Sequence, residues 1–270
     1  MKISESEFQR IVYYVKSKYG IELGHKRTLI EGRLENHLVR NGYTSYNEYM
    51  DEVEYHPNSQ EAKNIINVLT TNHTYFMREP EHFRFLKENV FPQLRIRESK
   101  DKDIRTWCAA ASTGEEPYTL GMLLMDYFKL AEGNWDTTLL ATDISTKVLK
   151  FAIEGKYLAE QIAPLPNVWK KCYFKRKSEE EYQVTDELKK QVLFREFNLM
   201  NPLPFRKKFH IVFLRNVMIY FDEETKIQLL NRIYDHMEAG GYLFIGTTET
   251  IDKSRTRFRY VRPAVYQKVI

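Results

Sequence analysis

Cysteine is scarce in this chain of 270 residues, and long apolar runs are missing. Cys108 and Cys172 lie far apart and outside any C-x-x-C pattern, which favours reduced, buried thiols over a disulfide framework. No apolar run approaches the ~20 residues that a membrane-spanning helix needs. The first residues, "MKISESEFQR", lack the basic and then apolar layout of a signal peptide. We therefore expect a cytoplasmic protein that does not insert into a membrane.

Patterns for binding metals or nucleic acids are also missing. The seven histidines show no H-x-x-x-H spacing and no grouping with cysteine, so we expect no metal. The net charge is only +4, and residues 1–70 carry 9 Lys and Arg against 10 Asp and Glu. Because neither part of the chain is polybasic, we expect no nucleic-acid partner.

Helical patterns fill residues 1–70. In "SESEFQRIVYYVKSKYG" apolar residues recur at helical spacing, Ser4 or Ser6 can cap the start, and Gly20 can end the helix. A second helix is predicted in "HKRTLIEGRLENHLVRNG", and two shorter helices follow it. Its inward side chains are predicted to be Leu29, Ile30, Leu34 and Leu38. These patterns predict a small all-α domain.

The second predicted helix carries basic side chains away from its apolar stripe. They are His25, Lys26, Arg27, Arg33, His37 and Arg40. Glu31 and Glu35 lie among them, so the pattern also fits an ordinary solvated helix face. The other interpretation is a surface that binds an acidic partner.

Strand and helix patterns alternate from about residue 104 onwards. "IRTWCAA", "TTLLATDIS", "KFHIVFLRN" and "YLFIGTT" are typical of strands, and a helix before the last of them is predicted to end at a double glycine. This alternation predicts an α/β fold with a doubly wound, mainly parallel sheet. Short, charge-rich strands at about residues 165–197 predict a small inserted antiparallel β unit. The final "RFRYVRPAVYQKV" predicts an antiparallel pair at the sheet edge.

The stretch "WCAAASTGEEPYTL" runs small residues into two glutamates at the predicted start of a helix. Ligands of open α/β sheets bind beyond the carboxyl ends of the strands, so a ligand is expected to approach this backbone closely. A pyrophosphate would favour G-x-G-x-x-G, whereas this turn has one glycine followed by Glu115 and Glu116. Asp143 ends the next strand, where it can hold a ribose or cap the following helix. Together these features predict a cationic nucleoside without phosphates, and S-adenosylmethionine fits.

Four stretches together resemble the CheR family of chemotaxis-receptor glutamate methyltransferases. They are "TTNHTYFMREPEHF", "AAASTGEEPYTL", "ATDIS" and "FLRNVMIYF", and the resemblance runs along nearly the whole chain. It implies a class I methyltransferase fold, with a seven-stranded sheet preceded by the small all-α domain. The implied parts are a helical substrate-recognition domain at residues 1–70, a linker closing over the ligand at 71–90, and an S-adenosylmethionine-binding domain at 91–270.

The same resemblance assigns roles to individual residues. Arg78 and Tyr220 match the family's catalytic positions. The cofactor-binding positions are Asn72, Thr74, Arg78, Glu115, Glu116, Asp143, Asn198, Leu199, Leu214, Arg215 and Asn216. Glu116 matches the acid that holds the amino group of the ligand, Asp143 matches the ribose acid, and the last two residues of "FREFNL" match the pair that frames the adenine.

Structural alternatives exist for several of these positions. Asn72 and Thr74 could cap the helix that follows them, and Asn198 could simply end a strand. Arg78 could pair with its neighbouring glutamate on the surface, where such a pair contributes little. Tyr220 could be an aromatic residue of the core.

The reaction implied by the resemblance transfers a methyl group from S-adenosylmethionine to a glutamate carboxylate, leaving S-adenosylhomocysteine. A glutamate with a pKa of about 4.3 is already ionised at neutral pH, so no general base is needed. The implied partners are methyl-accepting chemotaxis receptors, bound through the basic face of the second helix. Some relatives tether to a receptor's C-terminal pentapeptide through a longer loop that contains glycine. Because "FKRKSEEEYQV" is short and has no glycine, we expect no such tether.

Three rival functions are weighed against this one. One of them, a nicotinamide dehydrogenase, is disfavoured because the turn lacks the G-x-G-x-x-G pattern of a phosphate site. A non-catalytic regulator that binds S-adenosylmethionine or its product would need neither Arg78 nor Tyr220. An enzyme acting on nucleic acid would call for a polybasic groove, and the D/N-P-P-Y/F turn used on exocyclic amines has no counterpart here.

Overall fold

Four helices occupy the N-terminal part of the chain, within residues 1–57 and 59–69. They are α1 (Glu5–Tyr19), α2 (Arg27–Asn41), α3 (Tyr46–Tyr55) and α4 (Gln60–Leu69). The computed structural model describes residues 1–57 and 59–269. The Ser4 hydroxyl accepts a hydrogen bond from the N–H of Glu7, and Gly20 ends α1 in the left-handed conformation. Both ends of the first predicted helix are thereby confirmed.

A seven-stranded sheet lies at the centre of the part of the chain that follows, as far as it is described. Its strands stand in the order β6 (Val192–Glu196), β2 (Leu139–Asp143), β1 (Thr106–Cys108), β7 (Phe209–Leu214), β8 (Met237–Ile245), β10 (Val265–Gln267) and β9 (Arg259–Arg262). β1 pairs in parallel with β2 and β7, whereas β10 runs antiparallel to β8 and β9. The predicted fold class is confirmed, with its mainly parallel sheet and antiparallel edge.

Helices cover both faces of this sheet. They are α5 (Pro80–Phe85), α6 (Phe91–Arg97), α7 (Glu115–Lys129), α8 (Thr146–Glu154), α11 (Asp186–Gln191) and α12 (Glu223–Asp235). Two short helices, α9 (Ala159–Ile162) and α10 (Asn167–Tyr173), contact strands of the inserted sheet instead. A π-helical turn, Leu86–Val90, joins α5 to α6, and a 3₁₀ turn covers Met218–Tyr220. Trp107 belongs to the core shared with α12 and the N-terminal helices, and Cys108 belongs to the core under α5–α7. Successive side chains of a strand point to opposite faces, which explains the two cores.

The inserted antiparallel sheet is smaller and begins earlier than predicted. It contains β3 (Lys156–Leu158), β5 (Glu181–Val184) and β4 (Phe174–Arg176), in that order. The assignment of β6 to this insert was wrong, because β6 pairs in parallel with β2 in the large sheet. Val192 and Phe194 face the core while Leu193 is exposed. Such alternation fits an edge strand of either sheet, so the sequence pattern could not decide between them.

The predicted double-glycine stop of α12 was also wrong. The helix ends at Asp235, and Gly240 and Gly241 lie within β8. The register between β7 and β8 shifts at this point, and Gly240 has a φ of +72°. A Cβ on Gly241 would lie 2.9 Å from the carbonyl oxygen of Glu238 and 3.0 Å from that of His210. The glycines therefore form a bulge where two backbones approach closely.

The two cysteines differ in their surroundings. Cys108 lies in β1, inside the large sheet, and is buried, as predicted. Cys172 is exposed, so the prediction of a buried thiol was wrong for it. It lies on the outer side of the short helix α10, whose inward residue is the neighbouring Tyr173.

Two glycines near each other in sequence should respond in opposite ways to alanine. Gly32 lies inside α2 with nothing within 4 Å of an added Cβ, so Gly32→Ala should stabilise the protein by up to ~1 kcal/mol. Gly20 has a φ of +71°, and an added Cβ would lie 2.5 Å from the sulfur of Met200. Gly20→Ala should destabilise the protein by ~1–3 kcal/mol. Calorimetric melting should therefore show Tm shifts of opposite sign, and shifts of the same sign would contradict this explanation.

Candidate functional site

A cleft opens beyond the carboxyl ends of β1, β2 and β7. This is the edge of an open α/β sheet where small ligands bind. Ten of the predicted site residues line it: Asn72, Thr74, Arg78, Glu116, Asp143, Asn198, Leu199, Arg215, Asn216 and Tyr220. Glu115 and Leu214 lie outside the lining. The fold therefore brings together predicted residues from the linker, from the ends of three strands, from the first turn of α7 and from the 3₁₀ turn.

Glu115 and Leu214 face away from the cleft for different reasons. Consecutive residues of a helix point about 100° apart. Glu116 therefore turns to the cleft, whereas Glu115 is 2% exposed and accepts a hydrogen bond from the hydroxyl of Thr113 at 2.6 Å. Burial raises the pKa of Glu115, which the bond from Thr113 only partly offsets. Leu214 is fully buried at the end of β7.

Asp143 fastens the turn between β1 and α7 to the end of β2. Its carboxylate accepts hydrogen bonds from the N–H groups of Ser112 at 2.8 Å and Ser145 at 2.9 Å. Ser145 is the N-cap of α8, so the alternative that Asp143 caps this helix was wrong. Burial raises the pKa of Asp143, while its backbone hydrogen bonds act in the opposite direction. The carboxylate has a fixed orientation at the wall of the cleft.

The turn itself is shaped by packing as well as by the cleft. Ala109, Ala110 and Ser112 line the cleft, as expected for a backbone that a ligand approaches. Gly114 has a φ of +100°, and an added Cβ would lie 2.7 Å from the hydroxyl oxygen of Tyr157. The glycine is therefore required by the contact of the turn with the inserted sheet.

An ion cluster lies at one end of the cleft. One nitrogen of the Arg215 guanidinium, Nη1, donates to Oε2 of Glu116, and Nη2 lies 3.2 Å from Oε2 of Glu79. The thiol of Cys108 donates to the other oxygen of Glu116 at 3.0 Å. The side chains of Arg215, Glu116 and Glu79 are 1%, 12% and 13% exposed. Such nearly buried charges are tolerated when they are paired.

The linker crosses the mouth of the cleft and is held by side chains from both domains. Arg33 of α2 donates to the carbonyl oxygens of Leu69 and Thr70 and to the hydroxyl of Thr71. From the opposite side, the Ser112 hydroxyl donates to the carbonyl oxygen of Asn72 at 2.9 Å. The Tyr220 hydroxyl donates to the carbonyl oxygen of Thr71 at 3.3 Å.

Two structural alternatives for the linker residues were wrong. The N-cap of α5 is Glu79, so neither Asn72 nor Thr74 caps that helix. Arg78 forms no ion pair within the described residues, and its guanidinium donates to the carbonyl oxygen of His73 at 2.8 Å. Burial raises the pKa of Tyr220, and the charges of Arg33 and Arg78 partly offset that rise.

The other wall contains Asn198 and Leu199, directly after β6. The Asn198 side chain donates to the carbonyl oxygen of Lys18 at 2.9 Å and accepts from the N–H of Met200 at 2.9 Å. Asn198 therefore does more than end a strand, because it also connects the N-terminal helices to the end of β6. Asn216 lines the cleft just after β7. Its φ is +56°, and its N–H donates to Glu249 at 2.9 Å.

Several lining residues were missed by the sequence analysis. Tyr19 and Ile21 reach the cleft from the N-terminal domain, and Ile21 forms a β-bridge with Phe221, which also lines the cleft. Glu249 does not line the cleft itself but was missed as well. It accepts hydrogen bonds from the backbone N–H groups of Asn216, Ile219 and Gly246. The position of Glu249 in "GTTET", shortly after a predicted strand, could have pointed to it. The bridge between Ile21 and Phe221 joins distant segments, so it left no local signal.

The basic face of α2 is partly used within the protein. Arg27 pairs with Glu5 and donates to the carbonyl oxygen of Ile3, and Arg33 holds the linker. Lys26 lies 5.5 Å from the ring centre of Tyr220, beside the cleft, and Arg40 is exposed. Only part of the predicted cationic face is therefore available to a partner.

Residues 1–57 and 59–269 contain neither a cluster of metal ligands nor a helix that could span a membrane. No three His, Cys, Asp or Glu side chains there are grouped as ligands of a metal ion would be. In the same ranges, every helix is too short or too polar to cross a bilayer. The expectation that no metal takes part stays a prediction.

Known proteins similar to this chain agree with the resemblance of its motifs. The model of the CheR methyltransferase all-alpha domain matches residues 6–70, and that of the CheR methyltransferase SAM-binding domain matches residues 72–266. A chemotaxis protein methyltransferase of Borreliella burgdorferi is 39% identical over 99% of this chain and 96% of its own length. One of Escherichia coli is 35% identical over 98% of this chain and 92% of its own. The chain belongs to the CheR methyltransferase family.

Proposed function

We propose that this protein methylates glutamate side chains of chemotaxis receptors in the cytoplasm, forming methyl esters. The observation that carries the proposal is the placement of Arg78 and Tyr220 in the same cleft as Glu116 and Asp143. The cleft has acids suited to the ammonium and ribose groups of S-adenosylmethionine. It also has a guanidinium and a hydroxyl suited to a substrate carboxylate.

Different residues of the cleft bind different parts of the cofactor. Glu116 takes the ammonium group of the cofactor, and Asp143 takes the ribose hydroxyls. Asn198 and Leu199 border the adenine, and Asn72 and Thr74 of the linker cover the methionine part. S-adenosylmethionine supplies a methyl group on a positively charged sulfur, which a carboxylate can accept without a base.

The catalytic task is then to strip water from a carboxylate and aim it. The incoming glutamate is ionised at neutral pH. Arg78 offers a planar pair of donors that holds the carboxylate in one orientation, and Tyr220 adds a hydroxyl beside it. An intact Arg78 and Tyr220 in the cleft favour an enzyme over a sensor that only binds the cofactor.

A groove between α2, α4 and α8 suits an acidic helical partner. Its basic side chains are Arg33 and His37 from α2 and Lys147 and Lys150 from α8, and its amides include Asn64 and Asn67. Thr70 lines both this groove and the cleft, so the two lie side by side. Among the described residues no carboxylate lines the groove. We propose that a glutamate-bearing receptor helix docks here and along Lys26 and Arg40.

Lys147 and Lys150 are the cations of this groove that contribute least to the fold. Both are exposed and form no ion pair within the described residues. Lys147 lies in the first turn of α8, where a positive charge opposes the helix dipole. Their charge is therefore better explained by an external partner than by stability. We also propose that no C-terminal pentapeptide of a receptor binds the inserted sheet.

Asp143→Ala should weaken the binding of S-adenosylhomocysteine. Two ribose hydrogen bonds to a charged acceptor would be lost, at a cost of ~1.5–3 kcal/mol. Calorimetric titration measures this change. Ser145→Ala serves as the control, because it removes the cap of α8 but no ribose contact. If both variants weaken binding equally, Asp143 acts only as a support of the turn.

Loss of Arg78 should slow the chemical step more than it weakens binding of the product nucleoside. Removing an orienting, well-placed donor typically reduces turnover by ~10²–10³. Arg78→Ala should lie in that range, and Arg78→Lys should recover little because it lacks the planar fork. Single-turnover methylation with saturating receptor measures the step, with exposed Arg84→Lys as the control. Near wild-type turnover of Arg78→Lys would rule out two-pronged alignment.

Reversing the charge of Lys147 and Lys150 together should slow receptor methylation without changing affinity for S-adenosylhomocysteine. Charges at the rim of an interface act mainly on association, so the loss should be largest at low salt. The matched control reverses Lys171 and Lys177, which are exposed in α10 and directly after β4. Equal effects of the two double variants on kcat/KM would show that the groove does not bind the receptor. Arg33 is unsuitable for this test because it holds the linker.

A further inference from the structure

Arg78 stands between two residues with left-handed backbones. The φ angle is +60° at Met77 and +58° at Glu79. This conformation costs a residue other than glycine about 1–2 kcal/mol. It persists only where the surroundings fix it, and such strain is concentrated at functional sites. Specific contacts must therefore hold this segment in its strained conformation.

Glu79 and Arg215 supply those contacts. The Arg215 nitrogen Nη2 donates to the carbonyl oxygen of Arg78 at 2.6 Å and lies 3.2 Å from the Glu79 carboxylate. Glu79 also accepts a hydrogen bond from the N–H of Thr247 at 3.1 Å, just after β8. Burial alone would raise the pKa of Glu79, but the positive charge of Arg215 lowers it. Glu79 is thus an ionised group held in place from two sides.

The cluster around Arg215 carries one net negative charge. Arg215 contributes one positive charge, and Glu79 and Glu116 contribute two negative charges. Burial, reinforced by Arg215, lowers the pKa of the adjacent His82 to about 4, so this side chain is neutral at pH 7. Burial also raises the pKa of the Cys108 thiol, which leaves it uncharged. A nearly buried site with an unbalanced negative charge favours one additional cation.

We propose that Glu79 is a positioning residue for the ammonium end of the cofactor. It keeps Arg215 paired when the ammonium group takes its place at Glu116. This inference rests on the role proposed above for Glu116. Glu79 does not line the cleft, so it acts through Arg215 and not by touching the ligand.

The physical reason is competition for one carboxylate. Without Glu79, Glu116 would be the remaining carboxylate near Arg215 among the described residues. The incoming ammonium would then have to displace a buried guanidinium from its partner, and leaving a buried charge unpaired is costly. With Glu79 present, Arg215 retains a carboxylate and its bond to the Arg78 carbonyl. Cofactor binding therefore leaves the catalytic arginine in position.

Three ligands that differ at the amino-acid end test this role. S-adenosylhomocysteine carries the ammonium and carboxylate, its decarboxylated analogue keeps only the ammonium, and 5′-methylthioadenosine lacks both. For Glu79→Gln we expect calorimetry to show about 5- to 150-fold weaker binding of the two ligands with an ammonium group. Binding of 5′-methylthioadenosine should change by no more than about twofold. Glu79→Asp keeps the charge and should recover most of the affinity.

Matched variants separate the possible outcomes. Glu81→Gln changes an exposed glutamate of the same segment and should change no affinity. If Glu79→Gln weakens all three ligands alike, or none of them, the inference is overturned. Should Glu79→Gln not fold, the same ligand comparison applies to Glu79→Asp, and an equal loss for all three again overturns it. Glu116→Gln must also weaken the ammonium ligands; unchanged binding there would instead reject the role proposed for Glu116.

Discussion

A guanidinium at the end of the central strand β7 sets the arrangement of the cleft. Arg215 is 1% exposed at its side chain, and its charge needs partners within the protein. Those partners come from elements that are distant in sequence: Glu116 from the first turn of α7, and Glu79 from the linker. One buried charge thereby fixes the relative positions of β7, α7 and the linker. The cleft forms where these three elements meet.

The N-terminal domain has a structural role at the cleft besides the docking role proposed for it. Arg33 holds the linker by its backbone, Asn198 bonds to the end of α1, and Ile21 pairs with Phe221. These contacts make the domain one wall of the cleft. A partner that binds α2 would therefore lie directly beside the ligand. This proximity connects recognition of a partner to the place where its side chain would react.

Much of the fold could be predicted from sequence because the decisive patterns are local. The cap at Ser4, the stop at Gly20 and the alternation of strands and helices each lie within a short window. The sheet that β6 joins could not be predicted, because an alternating strand fits either edge. The glycines of β8 were taken for a helix end, since only the neighbouring strand shows why a bulge is needed there.

The site was predicted in the same uneven way. The acids after the turn were recognised as a pair, but helix geometry decides which of them faces the cleft, and only Glu116 does. Arg33 was placed on a surface for a partner, whereas its donors are used by the linker. Glu79 was seen only as a neighbour of Arg78, because its actual partners, Arg215 and Thr247, are far along the chain. Contacts of this kind depend on the folded structure and leave no trace in the spacing of residues.

The most direct test of the central claim is chemical. The protein is incubated with S-adenosylmethionine labelled in its methyl group and with membranes that contain chemotaxis receptors. The proposed function predicts label on the receptor polypeptide that is released as methanol by mild alkali, as a glutamate methyl ester requires. Label that resists alkali, or that appears on nucleic acid and not on the receptor, would contradict it.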